Sequence, residues 1–396
     1  MKIFFYKLTA IIIAAIMLFP ICIQVFGEEN DPVPQENAFG VAEGSLNLNC
    51  KSAILMEATT GTILYSQNAE EALPPASVTK VMTLLLVMEA IDAGTIRIDD
   101  TVSVSANAAS MGGSQVFLKE GEQMSVEDLL KSVVIASAND AAVALAEYVS
   151  GSVDAFVAKM NEKAAELGMS ATKFENVTGL DDTAEHHLTS AKDIALMSCA
   201  LVAHPLVLEY SSIWMDTIRD GAFGLTNTNR LVRFYKGCTG LKTGSTSKAG
   251  FCISATAERD GLSLVCVIMG AESRDIRNAA ATSLLDWGFA NFALYKEDAQ
   301  TTDSIPVKGS ACREITGSYP KFSCVVRRED LSKIEKKFTL PQTLTAPIHS
   351  GEKIGKVGFW CGEREIGSVD ICIESEIKRI GFWEIFCHIF AKSLLI

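Results

Sequence analysis

Ser77-Val78-Thr79-Lys80 sets a hydroxyl and an amine one helical turn apart at the start of an apolar run, and no other stretch of the chain is as restrictive. Pro74-Pro75-Ala76 precedes it and Val81-Met82-Thr83-Leu84-Leu85-Leu86-Val87-Met88 follows. That pattern predicts a helix that starts at the serine and is buried in the core. Residues three apart share a helix face, so Lys80 can take the proton of Ser77, the pairing that covalent catalysis requires. The pattern alone is weak, since it recurs at Ser170/Lys173, Ser245/Lys248, Ser318/Lys321, Ser350/Lys353 and Ser375/Lys378. Only the Ser77 copy opens a strongly apolar helix.

With 396 residues, 48% of them apolar and 21% charged, the chain is globular and long enough for two domains. A net charge of −13 argues against a nucleic-acid partner, which needs a basic face. At the N-terminus Lys2 and Lys7 lead into an uncharged stretch from Leu8 to Phe26, then Gly27 and the acidic Glu28-Glu29. This is the layout of a secretory signal cleaved near Gly27, with an uncleaved anchor as the alternative that Pro20 disfavours. The eleven cysteines are scattered singly, mostly in apolar runs, so we expect buried thiols rather than a disulfide framework. Neither the cysteines nor the adjacent His186 and His187 have partners at metal-ligand spacing, and the histidines read as structural.

Along the chain, Ser52–Met56 and Thr62–Tyr65 flank a turn and read as a β-hairpin. Ser125-Val126-Glu127-Asp128 caps a helix ending near Ile135. Ser137-Ala138-Asn139 follows and leads into a strong helix former with Asn139 or Asp140 as its cap; by itself this is an ordinary capping loop. Residues from Val153 to about His204 read as helical and polar, interrupted by a loop at Asn176–Asp182. Lys242-Thr243-Gly244 has strand-like flanks, so Lys242 lies on or just before a sheet edge, and Asp260-Gly261 joins two apolar strands. Arg274 and Arg277 open a further helix, and from about Thr301 to Ile373 short alternating segments suggest a small all-β module.

In this order and context, Ser-x-x-Lys, Ser-x-Asn and Lys-Thr-Gly resemble the site motifs of penicillin-binding proteins and serine β-lactamases. Pro-Ala-Ser-Val-Thr-Lys-Val-Met-Thr, Ser-Ala-Asn-Asp-Ala-Ala, Gly-Leu-Lys-Thr-Gly and Leu-Leu-Asp-Trp-Gly-Phe look like the low-molecular-weight D-alanyl-D-alanine carboxypeptidases, a likeness that runs from about Ser52 to Phe289. It implies an α/β (α+β) catalytic domain, an antiparallel sheet flanked by helices, with a C-terminal all-β domain. It also implies a nucleophile at Ser77, a base at Lys80, a proton relay at Ser137, and substrate contacts from Asn139, Lys242, Thr243, Gly244, Ser245 and Arg277. Backbone N–H groups of Ser77 and Ser245 would hold the oxyanion. The implied substrate is a peptidoglycan pentapeptide and the implied inhibitors are β-lactams, with no cofactor and no metal. A DD-endopeptidase or a catalytically silent penicillin-sensing protein are the alternatives.

This family's middle motif usually has glycine where the chain has Ala138. The Ser-Asp-Asn and Glu-x-x-Leu-Asn of a class A β-lactamase do not occur, which argues against efficient β-lactam hydrolysis. The expected division is a signal over residues 1–27, a linker over 28–45, the catalytic domain over 46–300, the β domain over 301–375 and a terminal helix over 376–396. In that helix Glu384, His388 and Lys392 form one narrow stripe in an otherwise apolar surface, the pattern of a helix lying in a membrane surface rather than spanning it.

Overall fold

The computed structural model describes residues 42–43, 46–181 and 184–393. The expected signal lies outside them, as does the expected linker apart from residues 42–43. Six strands build the main sheet: β1 (Ala42–Glu43), β2 (Ser52–Glu57), β3 (Ile63–Gln67), β4 (Cys238–Thr246), β5 (Gly250–Arg259) and β6 (Leu262–Ala271). Their order is β1-β3-β2-β6-β5-β4, antiparallel except for the β1–β3 pair, so β4 with Lys242 is an edge strand, as its flanks predict. Asp260 and Gly261 both take positive φ (52° and 76°) in the β5–β6 turn, the twist that a tight hairpin needs.

Successive strand side chains point to opposite faces, and here both faces are covered. Ile54, Met56, Val265 and Val267 join the helical core on one side, with Val81 and Leu85; Leu55, Leu264, Cys266 and Ile268 meet Leu284 and Leu285 on the other. Six helices do the covering: α1 (Lys80–Asp92), α2 (Val126–Ala136), α3 (Asn139–Ser150), α4 (Val153–Glu166), α5 (Ala191–Val202) and α6 (Arg274–Asn291). α1 is buried without interruption from Lys80 to Met88, as a helix apolar on all sides must be.

Two local expectations are corrected. The α-helix begins at Lys80 and not at Ser77, because Ala76 has φ 48° and the chain enters through a tight 3-10 turn over Ala76–Thr79. Neither Asn139 nor Asp140 caps α3: the cap position is Ala138, without a side-chain bond. The two side chains serve a neighbouring loop instead, Asn139 Nδ2 donating to Gly112 O and the Asp140 carboxylate accepting from Val116 and Leu118 N–H. Ser125 does cap α2, accepting from Asp128 N–H at 3.0 Å.

Between α4 and α5 the described residues, 167–181 and 184–190, are irregular, a longer stretch than the expected loop at Asn176–Asp182. Side chains hold it: Asn161 bonds both backbone groups of Phe174, and Asp193 accepts from Ala171 N–H and the Thr172 hydroxyl. No disulfide joins the described cysteines and no metal-binding cluster occurs among the described residues.

After α6 the chain is almost entirely strand, as expected. Phe292–Glu297 pairs with Phe322–Arg327, and a five-stranded sheet includes Ile334–Thr339, Lys353–Cys361 and Arg364–Cys372. Phe322 stacks on fully buried Phe359 at 4.1 Å, with Tyr295 tilted against both rings. The last described helix, Phe382–Ser393, leaves Phe382, Trp383, Phe386, Ile389 and Phe390 exposed. Phe359→Ala should lower stability by about 3–5 kcal/mol, read as an earlier calorimetric transition; an unmoved transition would mean that the aromatic stack contributes little.

Candidate active site

The turn that enters α1, the α2–α3 junction and strand β4 converge on one cleft of about 670 Å³. Ser77, Ser137, Thr243, Gly244, Ser245 and Arg277 all line it. A hollow of about 710 Å³ lies in the strand module near Tyr319 and Asp370, but it holds no paired nucleophile and base.

Lys80 Nζ lies 2.9 Å from Ser77 Oγ and donates to Thr178 O at 2.8 Å. Burial is the main reason its pKa falls well below the ordinary lysine range, and the charge of Lys242 adds to it; Asp140 acts in the other direction. An ammonium deprived of water is expensive to keep charged, so the buried amine is pushed towards the neutral form whose lone pair can accept the Ser77 proton. One turn further along α1, Thr83 Oγ1 donates to Val177 O at 2.8 Å and ties the same loop to the helix.

Lys242 is equally buried, and its pKa is lowered to about 7 by that burial and by the charge of Arg277. Its ammonium donates to Thr243 O at 2.9 Å. Arg277 itself is lowered to about 10 by burial and then by Arg274, and its Nη1 donates to Cys252 O at 3.4 Å. Thr243 Oγ1 is held by Thr228 Oγ1 at 2.8 Å. Gly244 explains the glycine of its motif: a Cβ there would stand 2.7 Å from Ser77 N and 2.9 Å from Pro75 O, so any side chain would push the edge strand off Ser77.

Ser137 ends α2 in the left-handed region, φ 63°, and its side chain is buried at the cleft wall. Ala138 is extended (φ −61°) and packs into the core, so its methyl group is accommodated between the two polar side chains of the motif. Asn139 spends its amide N–H on Gly112 O at 2.7 Å, while its Oδ1 is buried without a partner and free to accept from a ligand. Gly113 closes over that amide, where a Cβ would lie 2.8 Å from Nδ2.

Several contributors had no sequence signal. The Thr178 carbonyl is a backbone group 98 residues from the lysine it binds. Trp214 lines the cleft with its indole N–H unpaired, and Arg230 and Arg274 add cations at the rim. His187, expected to be structural, is buried and bonds Thr79 Oγ1 through Nε2 at 2.7 Å, whereas His186 is exposed.

Known proteins match both the sequence and this arrangement. The sequence model described as D-alanyl-D-alanine carboxypeptidase matches residues 39–273, and that described as penicillin-binding protein 5, C-terminal domain, matches 289–379. The D-alanyl-D-alanine carboxypeptidase DacF of Bacillus subtilis (strain 168) is 40% identical over 351 residues, covering 87% of this chain and 90% of its own. Among solved structures, penicillin-binding protein 5 of Haemophilus influenzae is similar with a TM-score of 0.73 and 29% identity, over 84% of this chain and 99% of that one. Penicillin-binding protein D2 of Listeria monocytogenes, solved in an ampicillin-bound form, is 34% identical with a TM-score of 0.57, covering 62% and 99%. A serine–lysine pair where a tight turn enters a buried helix, closed by an edge strand and continued into a strand module, is thus the arrangement of a known enzyme class: the chain belongs to the D-alanyl-D-alanine carboxypeptidase family, the low-molecular-weight penicillin-binding proteins.

Proposed function

We propose that Ser77 is the nucleophile that opens the terminal D-Ala-D-Ala bond of a peptidoglycan pentapeptide through a covalent acyl-enzyme. The observation that carries this reading is the buried Lys80 amine 2.9 Å from the Ser77 hydroxyl. Neutral Lys80 takes the hydroxyl proton as Ser77 Oγ bonds to the carbonyl carbon of the penultimate D-alanine. The C–N bond then breaks and the proton passes, through the Ser137 hydroxyl, to the nitrogen of the departing D-alanine. Water cleaves the resulting ester and regenerates Ser77.

The remaining contacts follow from chemistry. A carbonyl oxygen turning into an oxyanion calls for fixed N–H donors, for which Ser77 and Ser245 stand on either side of the cleft. Asn139 Oδ1 is an acceptor for a peptide N–H of the substrate. Lys242, Thr243 and Arg277 supply charge and a hydroxyl for the terminal carboxylate, with Gly244 keeping the strand close. Penicillins, which carry an acyl group and a carboxylate in the same relation, acylate Ser77 in turn; the ampicillin-bound Listeria relative supports this.

The enzyme works outside the cytoplasm, on this reading, after removal of residues 1–27. Its terminal helix lies in the membrane surface, and the module over 301–375 is a spacer between that surface and the cleft. The row of exposed aromatic and aliphatic side chains on Phe382–Ser393 supports the attachment. No single helix among the described residues is long and apolar enough to cross a membrane.

Ser77→Ala should abolish both D-alanine release from a pentapeptide and labelling by a fluorescent penicillin; retained labelling would move the nucleophile elsewhere. Burial and a second cation depress Lys80, so the neutral fraction grows as pH rises, and the acylation rate should climb as pH is raised from acid towards the ordinary lysine range, with an ionisation well below the free-lysine value. A pH-independent rate over that span would sink the lysine-base assignment. Deleting the residues after Ile377 should move an active enzyme from the membrane pellet to the soluble fraction; a truncated protein that unfolds or still sediments with membranes would place the anchor elsewhere.

A further inference from the structure

Behind the nucleophile lies a hydrogen-bonded chain that the reaction as described does not use. Thr79 Oγ1 donates to Ala76 O at 2.8 Å, and the same oxygen is met by His187 Nε2 at 2.7 Å. On its other side, His187 Nδ1 accepts from the Glu175 N–H at 3.0 Å. A ring nitrogen that accepts carries no proton, so a neutral His187 holds its hydrogen on Nε2. The direction of the whole chain is thereby settled: His187 Nε2–H donates to Thr79, and Thr79 O–H donates to Ala76 O.

The ring is held in that state. It is almost fully buried and packs edge-on against Phe174 at 5.7 Å. Burial lowers its pKa to about 4, although the facing carboxylates of Glu175 and Asp181 act to raise it. Protonation would also put a second hydrogen against the Glu175 N–H.

The acceptor at the end of the chain is not an ordinary carbonyl. Ala76 O belongs to the planar peptide unit whose N–H is that of Ser77, and the two ends of that unit point in opposite directions. Ala76 is held at φ 48°, a left-handed conformation that an alanine adopts only against a penalty of about 1 kcal/mol or more. Gly179 seats itself on the same carbonyl so closely that a Cβ would overlap Ala76 O. Fixing the oxygen therefore fixes where the N–H points, and donors lined up on the oxygen polarise the N–H as well.

We infer that His187, acting through Thr79, is a positioning residue for the oxyanion hole: it orients and polarises the Ala76–Ser77 peptide so that the Ser77 N–H meets the developing oxyanion. The inference rests on Ser77 being the nucleophile. It assigns to His187 and Thr79 no contact with substrate and no proton transfer to it. The effect belongs to the chemical step, because the oxyanion exists only in the transition state and tetrahedral intermediate.

The test is acylation by a chromogenic cephalosporin, resolved into encounter affinity and rate constant, in Thr79→Val, Thr79→Ser, His187→Ala and the Thr79→Val/His187→Ala double variant. Thr79→Val keeps the shape and removes the hydroxyl. It should lower the acylation rate constant by about 10–100-fold, less than the loss of a whole oxyanion donor, with encounter affinity within about twofold. Thr79→Ser should restore most of the rate. The double variant should be no slower than the slower single variant, since both break one chain. Affinity for a boronic acid, whose tetrahedral adduct on serine places an oxygen in the same hole, should fall in parallel with the rate. Full labelling of Ser77→Ala would instead overturn the underlying nucleophile assignment. With that assignment intact, a folded Thr79→Val whose acylation rate stays within about twofold, additive losses in the double variant, or unchanged boronate affinity would each overturn the inference. If His187→Ala fails to fold, the two Thr79 variants still decide it.

Discussion

An amine buried in an apolar helix is the constraint on which this structure turns. Lys80 occupies a position that periodicity alone would give to a leucine, on a helix whose next eight residues are all buried. Its Nζ has two polar neighbours, the Ser77 hydroxyl and the Thr178 carbonyl. Such a group is tolerable only if it sheds its charge or is well paired, because the desolvation of an ion in a protein interior runs to several kcal/mol. The cation Lys242 nearby makes the charged form less favourable still. The features that would make Lys80 a poor core residue are the features that favour its neutral amine, the form in which a lysine can accept a proton.

The rest of the site can be read as the framing needed to keep that lysine and its serine in register. From below, Thr83 and Lys80 both bond the 177–178 backbone, so the irregular segment between α4 and α5 is docked on α1 at two points one turn apart. From the side, the edge strand β4 comes within contact of Ser77 N, and only glycine at 244 permits it. From above, the Ser137–Asn139 junction is tied by Asn139 to Gly112 and Ser114 and by Asp140 to the Val116–Leu118 backbone. These ties join segments far apart in sequence, and the cleft is therefore a property of the assembled domain rather than of any one element.

That distinction explains what could be read in advance. The Ser77–Lys80 pair, the edge placement of Lys242, the Asp260-Gly261 turn and the Ser125 cap depend on neighbours within a few positions, where periodicity and turn chemistry act. The failures share the opposite cause. Asn139 and Asp140 are the usual capping residues, and a reading of local sequence makes them caps; tertiary contacts claim both side chains for the 112–118 loop. His187 reads from the sequence as structural and is indeed buried, but its partner Thr79, 108 positions away, leaves no local pattern. A backbone carbonyl such as that of Thr178 has no signature in the residue type at all.

The electrostatics of the cleft add a last step. The chain as a whole carries a net charge of −13, yet Lys80, Lys242, Arg277, Arg274 and Arg230 gather about one cleft, where Lys242 lowers the proton affinity of Lys80, Arg277 that of Lys242, and Arg274 and Arg230 that of Arg277. For the free enzyme this mutual repulsion helps to keep Lys80 neutral. On the proposed assignment, a carboxylate bound beside Lys242 and Arg277 would relieve part of it, which by itself would favour a proton on Lys80 and weaken the base. The same ligand excludes water from the cleft, and desolvation, the larger of the two influences on Lys80 in the free enzyme, acts in the opposite sense. Substrate recognition and base strength would thus be coupled through one set of charges. Burial must dominate for the coupling to leave such a base intact, and Lys80 accordingly sits on the apolar helix while Arg230 and Arg274 sit exposed at the rim.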